Sequence, residues 1–225
     1  MRKFAIIVAG GAGSRMGADI PKQFLLLRNK PLLWHTVTAF LTAYEDIRII
    51  LVLPESHLDK GREIAQSTSS HGQIIIVEGG LTRFHSVQNG LTHVPSDSIV
   101  FVHDGVRCLV TTRLIQQCYE ATLARGNAIP CVSAIDTIRI ETLNGNELIE
   151  RSKVKIIQTP QTFTGFTLKK AYQQDYQELF TDDASVVESL GEKIHLVVGD
   201  FKNIKITSKI DLLIAEQILI EREAL

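Results

Sequence analysis

Short apolar runs recur along this chain, and each is apolar throughout instead of alternating in polarity. They occupy residues 4–9, 47–53, 73–77, 98–103 and 127–133. A strand with one wet face alternates polar and apolar side chains, whereas a strand covered on both faces does not. Between the runs, residues 31–44, 55–67, 82–94 and 111–125 carry helix signals. Pro31 suits a first helical turn, and Thr111 or Thr112 can cap the helix carrying Leu114, Ile115, Cys118 and Leu123. This alternation predicts an α/β fold built on a single doubly wound, mainly parallel sheet.

The rhythm breaks after Ser133. Residues 135–141 and 147–157 read as two strands joined by Leu143-Asn144-Gly145-Asn146, and Asn-Gly between strand-like runs signals a hairpin. Residues 135–158 are therefore expected to project as a β-hairpin arm. Helical patterns return at 165–174, 182–190 and 208–221, with strand-like segments near 194–198 and 203–206. With no repeat, linker or low-complexity tract to divide it, the chain reads as one domain over 1–225 carrying that arm.

Charge and cysteine usage exclude several classes. The 24 basic and 25 acidic side chains nearly cancel, so no bulk field draws the protein to nucleic acid or an anionic membrane. Cys108, Cys118 and Cys131 are too widely spaced for a disulfide framework or a CxxC metal site and read as buried, reduced thiols. None of the seven histidines falls in an HExxH or similar spacing, so no protein metal ligand is named. The apolar run after Arg2 and Lys3 is too short for a signal peptide, and no stretch approaches the ~18 apolar residues of a membrane span. A cytoplasmic protein is expected.

In open parallel sheets, ligands bind where loops and helix starts converge beyond the strands' carboxyl ends. The first such loop here is Val8-Ala9-Gly10-Gly11-Ala12-Gly13-Ser14-Arg15-Met16-Gly17, with Pro21-Lys22-Gln23-Phe24 shortly after. Its glycines let backbone N–H groups approach a ligand, and Arg15 and Lys22 add mobile positive charge, a combination suited to polyphosphate. The spacing is not a dinucleotide fingerprint, because Met16 stands where the last glycine belongs, and no GxxxxGK[ST] run exists.

This loop resembles the signature of the 2-C-methyl-D-erythritol 4-phosphate cytidylyltransferases. Further segments follow in that family's order: Gly79-Gly80-Leu81-Thr82-Arg83-Phe84-His85-Ser86-Val87, then Val102-His103-Asp104-Gly105-Val106-Arg107, then Asp136-Thr137 and Arg151. Thr159-Pro160-Gln161, Thr181-Asp182-Asp183-Ala184-Ser185 and Asn203-Ile204-Lys205-Ile206-Thr207 complete the series, so the resemblance spans nearly the whole chain. It implies a Rossmann-like nucleotidyltransferase fold. It implies transfer of a cytidylyl group from CTP to a sugar-alcohol phosphate, within non-mevalonate isoprenoid synthesis.

By that resemblance, Arg15, Lys22 and Lys205 are the catalytic cations around the α-phosphate. Ala9, Gly10, Gly11, Gly13, Gly80, Arg83, Ser86 and Gly105 hold the nucleotide, and Asp104, Arg107, Thr137, Arg151 and Thr181 hold the acceptor. The acceptor phosphate is already anionic near neutral pH, since a monoester's second pKa is about 6, so alignment and charge stabilisation replace a general base. Mg2+, bound mainly through the CTP phosphates, is the implied cofactor, and a homodimer through the arm is the implied assembly. His103 beside Asp104 reads as structural. The family usually has Ala where Gly105 stands and Pro where Cys108 stands, which puts the placing of Arg107 in question. The alternatives are a ribitol 5-phosphate cytidylyltransferase and a nucleotide-binding protein without catalysis. The short stretch from Met16 to Pro21 and the 181–185 segment favour the methylerythritol branch, and the intact cations argue against a non-catalytic protein.

Overall fold

A computed structural model of the protein describes residues 1–10, 20–68 and 71–223. In chain order, β1 (Arg2–Val8) precedes a 3-10 turn (Lys22–Phe24), a short hairpin of β2 (Leu26–Leu27) and β3 (Lys30–Pro31), and α1 (Leu32–Ala43). Next come β4 (Arg48–Leu53), α2 (Leu58–Gln66), β5 (Ile74–Glu78), α3 (Arg83–Leu91), β6 (Ser98–Asp104), α4 (Thr112–Arg125) and β7 (Asn127–Ser133). Then follow β8 (Ile138–Thr142), β9 (Gly145–Ile149), β10 (Lys155–Ile157), β11 (Gln161–Thr164), α5 (Gly165–Ala171), α6 (Asp183–Glu188), β12 (Leu196–Val198) and α7 (Lys209–Glu223).

Eight strands form one sheet in the order β10-β7-β11-β6-β1-β4-β5, with β12 also paired to β7. Central β1 is parallel to β4 and β6, and β4 is parallel to β5. Only β10 and β11 run against their neighbours. The apolar runs are explained by the two faces of this sheet. Ala5 and Ile7 of β1 pack with Leu33, Val37 and Phe40 of α1 and with Leu114 and Ile115 of α4. Phe4 and Ile6 point the other way, into a second core with Val87 and Leu91 of α3, Leu168 of α5 and Val187 of α6. Each buried Ile, Leu, Val or Phe among them contributes about 1.5–3 kcal/mol on burial. A third cluster seats Ala215 and Ile218 of α7 on Leu27, Leu32, Val106, Cys108 and Ile206. No described helix is long and apolar enough to cross a membrane.

Two expectations from the sequence are corrected, and one strand had no counterpart among them. The arm is shorter than residues 135–158: the hairpin is β8 and β9 around the turn at Leu143 and Asn144, and 155–157 leave it to pair with β7 as β10. Residues 203–206 form no strand, and only Ile206 makes a ladder-like bond, N–H to the Val106 carbonyl at 3.0 Å. A strand without an apolar run to announce it, β11, lies between β6 and β7 inside the sheet. Its Gln161 and Thr162 are polar yet fully buried, so the strand lacked the apolar signature.

Candidate active site

Two adjoining cavities open at the carboxyl ends of β1, β4, β5 and β6. The larger, about 510 Å³, is lined by Ala9, Gly10, Lys22, Gly80, Arg83 and Ser86, among others. The smaller, about 150 Å³, is lined by Arg107, Gln158, Thr159, Gln161, Thr181 and Asp182. Arg83, Asp104 and Lys205 border both.

Local structure explains how the larger cavity is held open. Ala9 N–H continues the β1 ladder to the Val52 carbonyl at 2.9 Å, and the buried Gln23 amide donates to the Ala9 carbonyl at 2.8 Å. That bond pins the 3-10 turn, and hence Lys22, beside the end of β1. Gly80 lies against the first turn of α3, where an added Cβ would stand 2.4 Å from His85 Cβ, so only glycine fits. Ser86 Oγ accepts from Gly80 N–H at 3.1 Å and donates to the Thr82 carbonyl at 2.9 Å, fixing that backbone. Thr82 caps α3.

Asp104 ends β6 and is ringed by three cations. Lys205 Nζ lies 3.0 Å from Oδ2, Arg107 Nε 3.4 Å from Oδ2 and Arg83 Nε 3.6 Å from Oδ1. Burial alone would raise the carboxyl's pKa, but Arg83, Lys205 and Arg107 outweigh it and hold Asp104 well below the usual range. Burial likewise works against the Arg83 charge, and Asp183 and Asp104 more than restore it. The Arg83 guanidinium grips Asp183 at both ends, at 2.7 and 3.0 Å.

Beneath Asp104 lies a closed set of buried hydrogen bonds. Asp104 N–H donates to Thr159 Oγ1 at 3.2 Å, and the Thr159 hydroxyl meets His103 Nδ1 at 2.9 Å. His103 Nε2 faces the Arg107 carbonyl at 3.2 Å, which can only accept, so Nε2 carries the proton and Nδ1 accepts from Thr159. Burial pushes the His103 pKa down to about 4, and the neutral ring serves the turn as a structural group. Arg107 donates to the Asn203 carbonyl at 3.0 Å, and Asn203 donates to the Thr159 carbonyl at 2.8 Å.

The residues expected from sequence fall into four sets. Ala9, Gly10, Lys22, Gly80, Arg83, Ser86, Asp104, Arg107, Thr181 and Lys205 line these cavities. Thr137 and Arg151 stand at the base of the arm, exposed, with Arg151 donating to the Ile135 carbonyl. Gly11, Gly13 and Arg15 lie outside the described residues. Gly105 is not among the lining residues. It sits below the floor, where a Cβ would stand 2.8 Å from Ala9 Cβ, so its part is close packing. Cys108 is buried in the α7 cluster, with its thiol pushed up to about 12 by burial. Arg107 is held by Asp104 and Asn203, so it needs no proline after it. Asp183 and Gln158 were not singled out, because buried polar residues leave no periodic trace in a sequence.

The chain matches the family model for 2-C-methyl-D-erythritol 4-phosphate cytidylyltransferase over residues 4–221. It belongs to that family. The protein of that name from Phocaeicola vulgatus is 46% identical over 97% of this chain and 100% of its own length. That from Bacteroides thetaiotaomicron is 45% identical over the same shares. Among solved structures, 4-diphosphocytidyl-2C-methyl-D-erythritol synthase from Anaerococcus prevotii superposes with a TM-score of 0.82 at 28% identity, covering 96% of this chain and 97% of its own. The Francisella tularensis cytidylyltransferase gives 0.80 at 31% identity, covering 96% and 99%.

Proposed function

We propose that this family member joins CTP to 2-C-methyl-D-erythritol 4-phosphate, giving 4-diphosphocytidyl-2-C-methyl-D-erythritol and pyrophosphate. The observation that carries the reading is the meeting of the two cavities at Lys205, Asp104 and Arg83. Backbone from Ala9, Gly10 and Gly80 suits a base and ribose in the larger cavity, where unpaired buried groups would reject another base. Hydroxyl-binding groups suit the acceptor in the smaller one. An acceptor phosphate oxygen forms a bond to the α-phosphorus as the α–β bridging bond breaks, and the pair leaves as pyrophosphate. Lys22 and Lys205, with Arg15 from the glycine loop, neutralise charge on the α-phosphate.

Magnesium is read as arriving with the nucleotide. Asp104 and Asp183 are already answered by cations, which leaves the CTP phosphates as its main ligands in this reading. Bound there, it would offset triphosphate charge and ease departure of pyrophosphate.

Thr137 and Arg151 reach neither cavity of their own chain, which supports a homodimer in which the arm serves a neighbouring site. Three buried free thiols fit a reducing, cytoplasmic setting. The test is pyrophosphate release with magnesium, crossing CTP, UTP, ATP and GTP against methylerythritol 4-phosphate and ribitol 5-phosphate. Release confined to CTP with methylerythritol 4-phosphate is expected. Release with ribitol 5-phosphate instead would overturn the acceptor, and none from a folded protein that binds CTP would overturn catalysis.

A further inference from the structure

Asp183 opens α6, but capping does not account for it. Asp182 is the cap, with its side chain on Ser185 N–H and the Ser185 hydroxyl returning to the Asp182 backbone. Gln161 holds the same turn from below, donating to Asp182 Oδ2 at 2.7 Å and accepting from Ala184 N–H at 2.8 Å. Asp183 is nevertheless fully buried. A carboxylate is costly to bury unless its oxygens are answered. Here Oδ1 accepts from the Tyr172 hydroxyl at 2.7 Å and from Arg83 at 3.0 Å, while Oδ2 accepts from Arg83 at 2.7 Å. Tyr172 is itself clamped by stacking on Phe84, with ring centroids 4.7 Å apart.

We propose that Asp183 is a positioning residue for the transfer reaction, holding Arg83 between the two cavities and so setting the Asp104 carboxylate on the acceptor side. The geometry divides the guanidinium. Its two terminal nitrogens belong to Asp183, and only Nε turns to Asp104, at 3.6 Å. At that distance Arg83 draws Asp104 without taking it, and Oδ1, the oxygen that the Lys205 and Arg107 contacts leave aside, stays open to acceptor hydroxyls. Without the Asp183 charge, Arg83 has one carboxylate left within reach and closes on Asp104. Asp104 is then withdrawn from the acceptor, while the backbone groups lining the larger cavity are untouched.

This inference rests on the proposed reaction, so wild-type pyrophosphate release from CTP and methylerythritol 4-phosphate is measured first. Failure there removes the reaction, not the Asp183 geometry alone. Given an active wild type, Asp183→Asn and Tyr172→Phe are compared in steady-state kinetics, with thermal melting and CTP titration calorimetry confirming folded protein. Asp183→Asn should raise the acceptor KM by about tenfold or more, as expected for misplacing a positioned group, and the CTP KM by clearly less, because Ala9, Gly10, Gly80 and Ser86 still hold the nucleotide when Arg83 moves. Tyr172→Phe keeps the charge and loses one hydrogen bond, so it should shift the same constant in the same direction by less. A fall in kcat with both KM values unchanged, the mark of a reduced folded fraction, would overturn the proposal. So would equal rises in both KM values, or no change in either variant.

Discussion

Asp104 and Arg151 are both read as acceptor-side residues, yet they occupy opposite physical settings. Asp104 stands on a fully buried strand among three cations, above the bonds that link His103, Thr159, Arg107 and Asn203. Arg151 is exposed at the foot of a hairpin whose strands are almost wholly in solvent, with Ile140, Leu143 and Leu148 uncovered. The first site is preorganised by its own chain, so geometry costs nothing at the moment of reaction. The second is held in its own chain by little beyond the bond from Arg151 to the Ile135 carbonyl, and in the proposed dimer a neighbouring chain would supply its order. Changes at the body should therefore damage activity and stability in separable ways, and changes at the arm should touch activity alone.

The sharpest test of the body is Lys205→Ala. Lys205 is about half exposed, so its loss should leave unfolding free energy within about 1 kcal/mol of wild type. Removing a cation from the α-phosphate should lower kcat by ~10²–10³-fold. A loss below tenfold in single-turnover assays would take Lys205 out of the reacting site and leave it as a partner of Asp104.

His103 ties the body's stability to pH. Its pKa falls from 6.5 in the unfolded chain to about 4 in the fold because burial disfavours the charged ring. Between those values the unfolded chain binds the proton and the folded one does not, so stability drops as pH falls from 6.5 to 4 and is flat in this group below that. The displacement corresponds to roughly 3 kcal/mol. Urea unfolding across this range should show the slope in wild type and lose most of it in His103→Gln. Equal slopes would mean that the ring is charged or hydrated in the folded state.

For the arm, Arg151→Ala should cut turnover by about 10–100-fold, the worth of one charge-assisted contact, without moving the melting temperature. If the arm serves a neighbour, mixing Arg151→Ala chains with Lys22→Ala chains restores activity, because one site in each mixed dimer is intact. A mixture no better than its parents would place Arg151 at its own chain's site, or at none.

The same contrast explains what could be read in advance. Strands β1, β4, β5, β6 and β7 were visible because both faces of the sheet are apolar-packed, leaving unbroken apolar runs. The Lys22 turn was visible because phosphate chemistry demands cations beside a glycine loop, and the Gly80 turn was visible only through the family resemblance. Strand β11 was not, since Gln161 looks like a loop residue until Asp182 and Ala184 answer it, and Thr162, though buried, adds no apolar signal. Asp183 was hidden for the same reason, as its value lies in Arg83, 100 residues away. The arm's end was misjudged because Lys155-Ile156-Ile157 is a strand in either setting, and only pairing with Cys131, Val132 and Ser133 assigns it to the body.

Gly105→Ala is the finest probe, because it acts under the site without touching a charged group. The added methyl would stand 2.8 Å from Ala9 Cβ and 3.0 Å from Leu33 Cδ1, and the Ala9 contact cannot relax by rotating a side chain. Either β1 or the turn after β6 must move. Overpacking of this kind costs about 1–3 kcal/mol, and one methyl near the surface of the core belongs at the lower end. Ala9 lines the larger cavity and Gly105 N–H is bonded to the Val8 carbonyl at 2.9 Å, so displacement should raise the KM for CTP severalfold and spare the acceptor KM. That is the mirror of the Asp183→Asn expectation, and the two variants together separate the floor of one cavity from the wall of the other. If Gly105→Ala leaves the CTP KM unchanged while stability falls, the floor yields toward α1 and not toward the nucleotide, and the preorganised body is softer at β1 than its packing suggests.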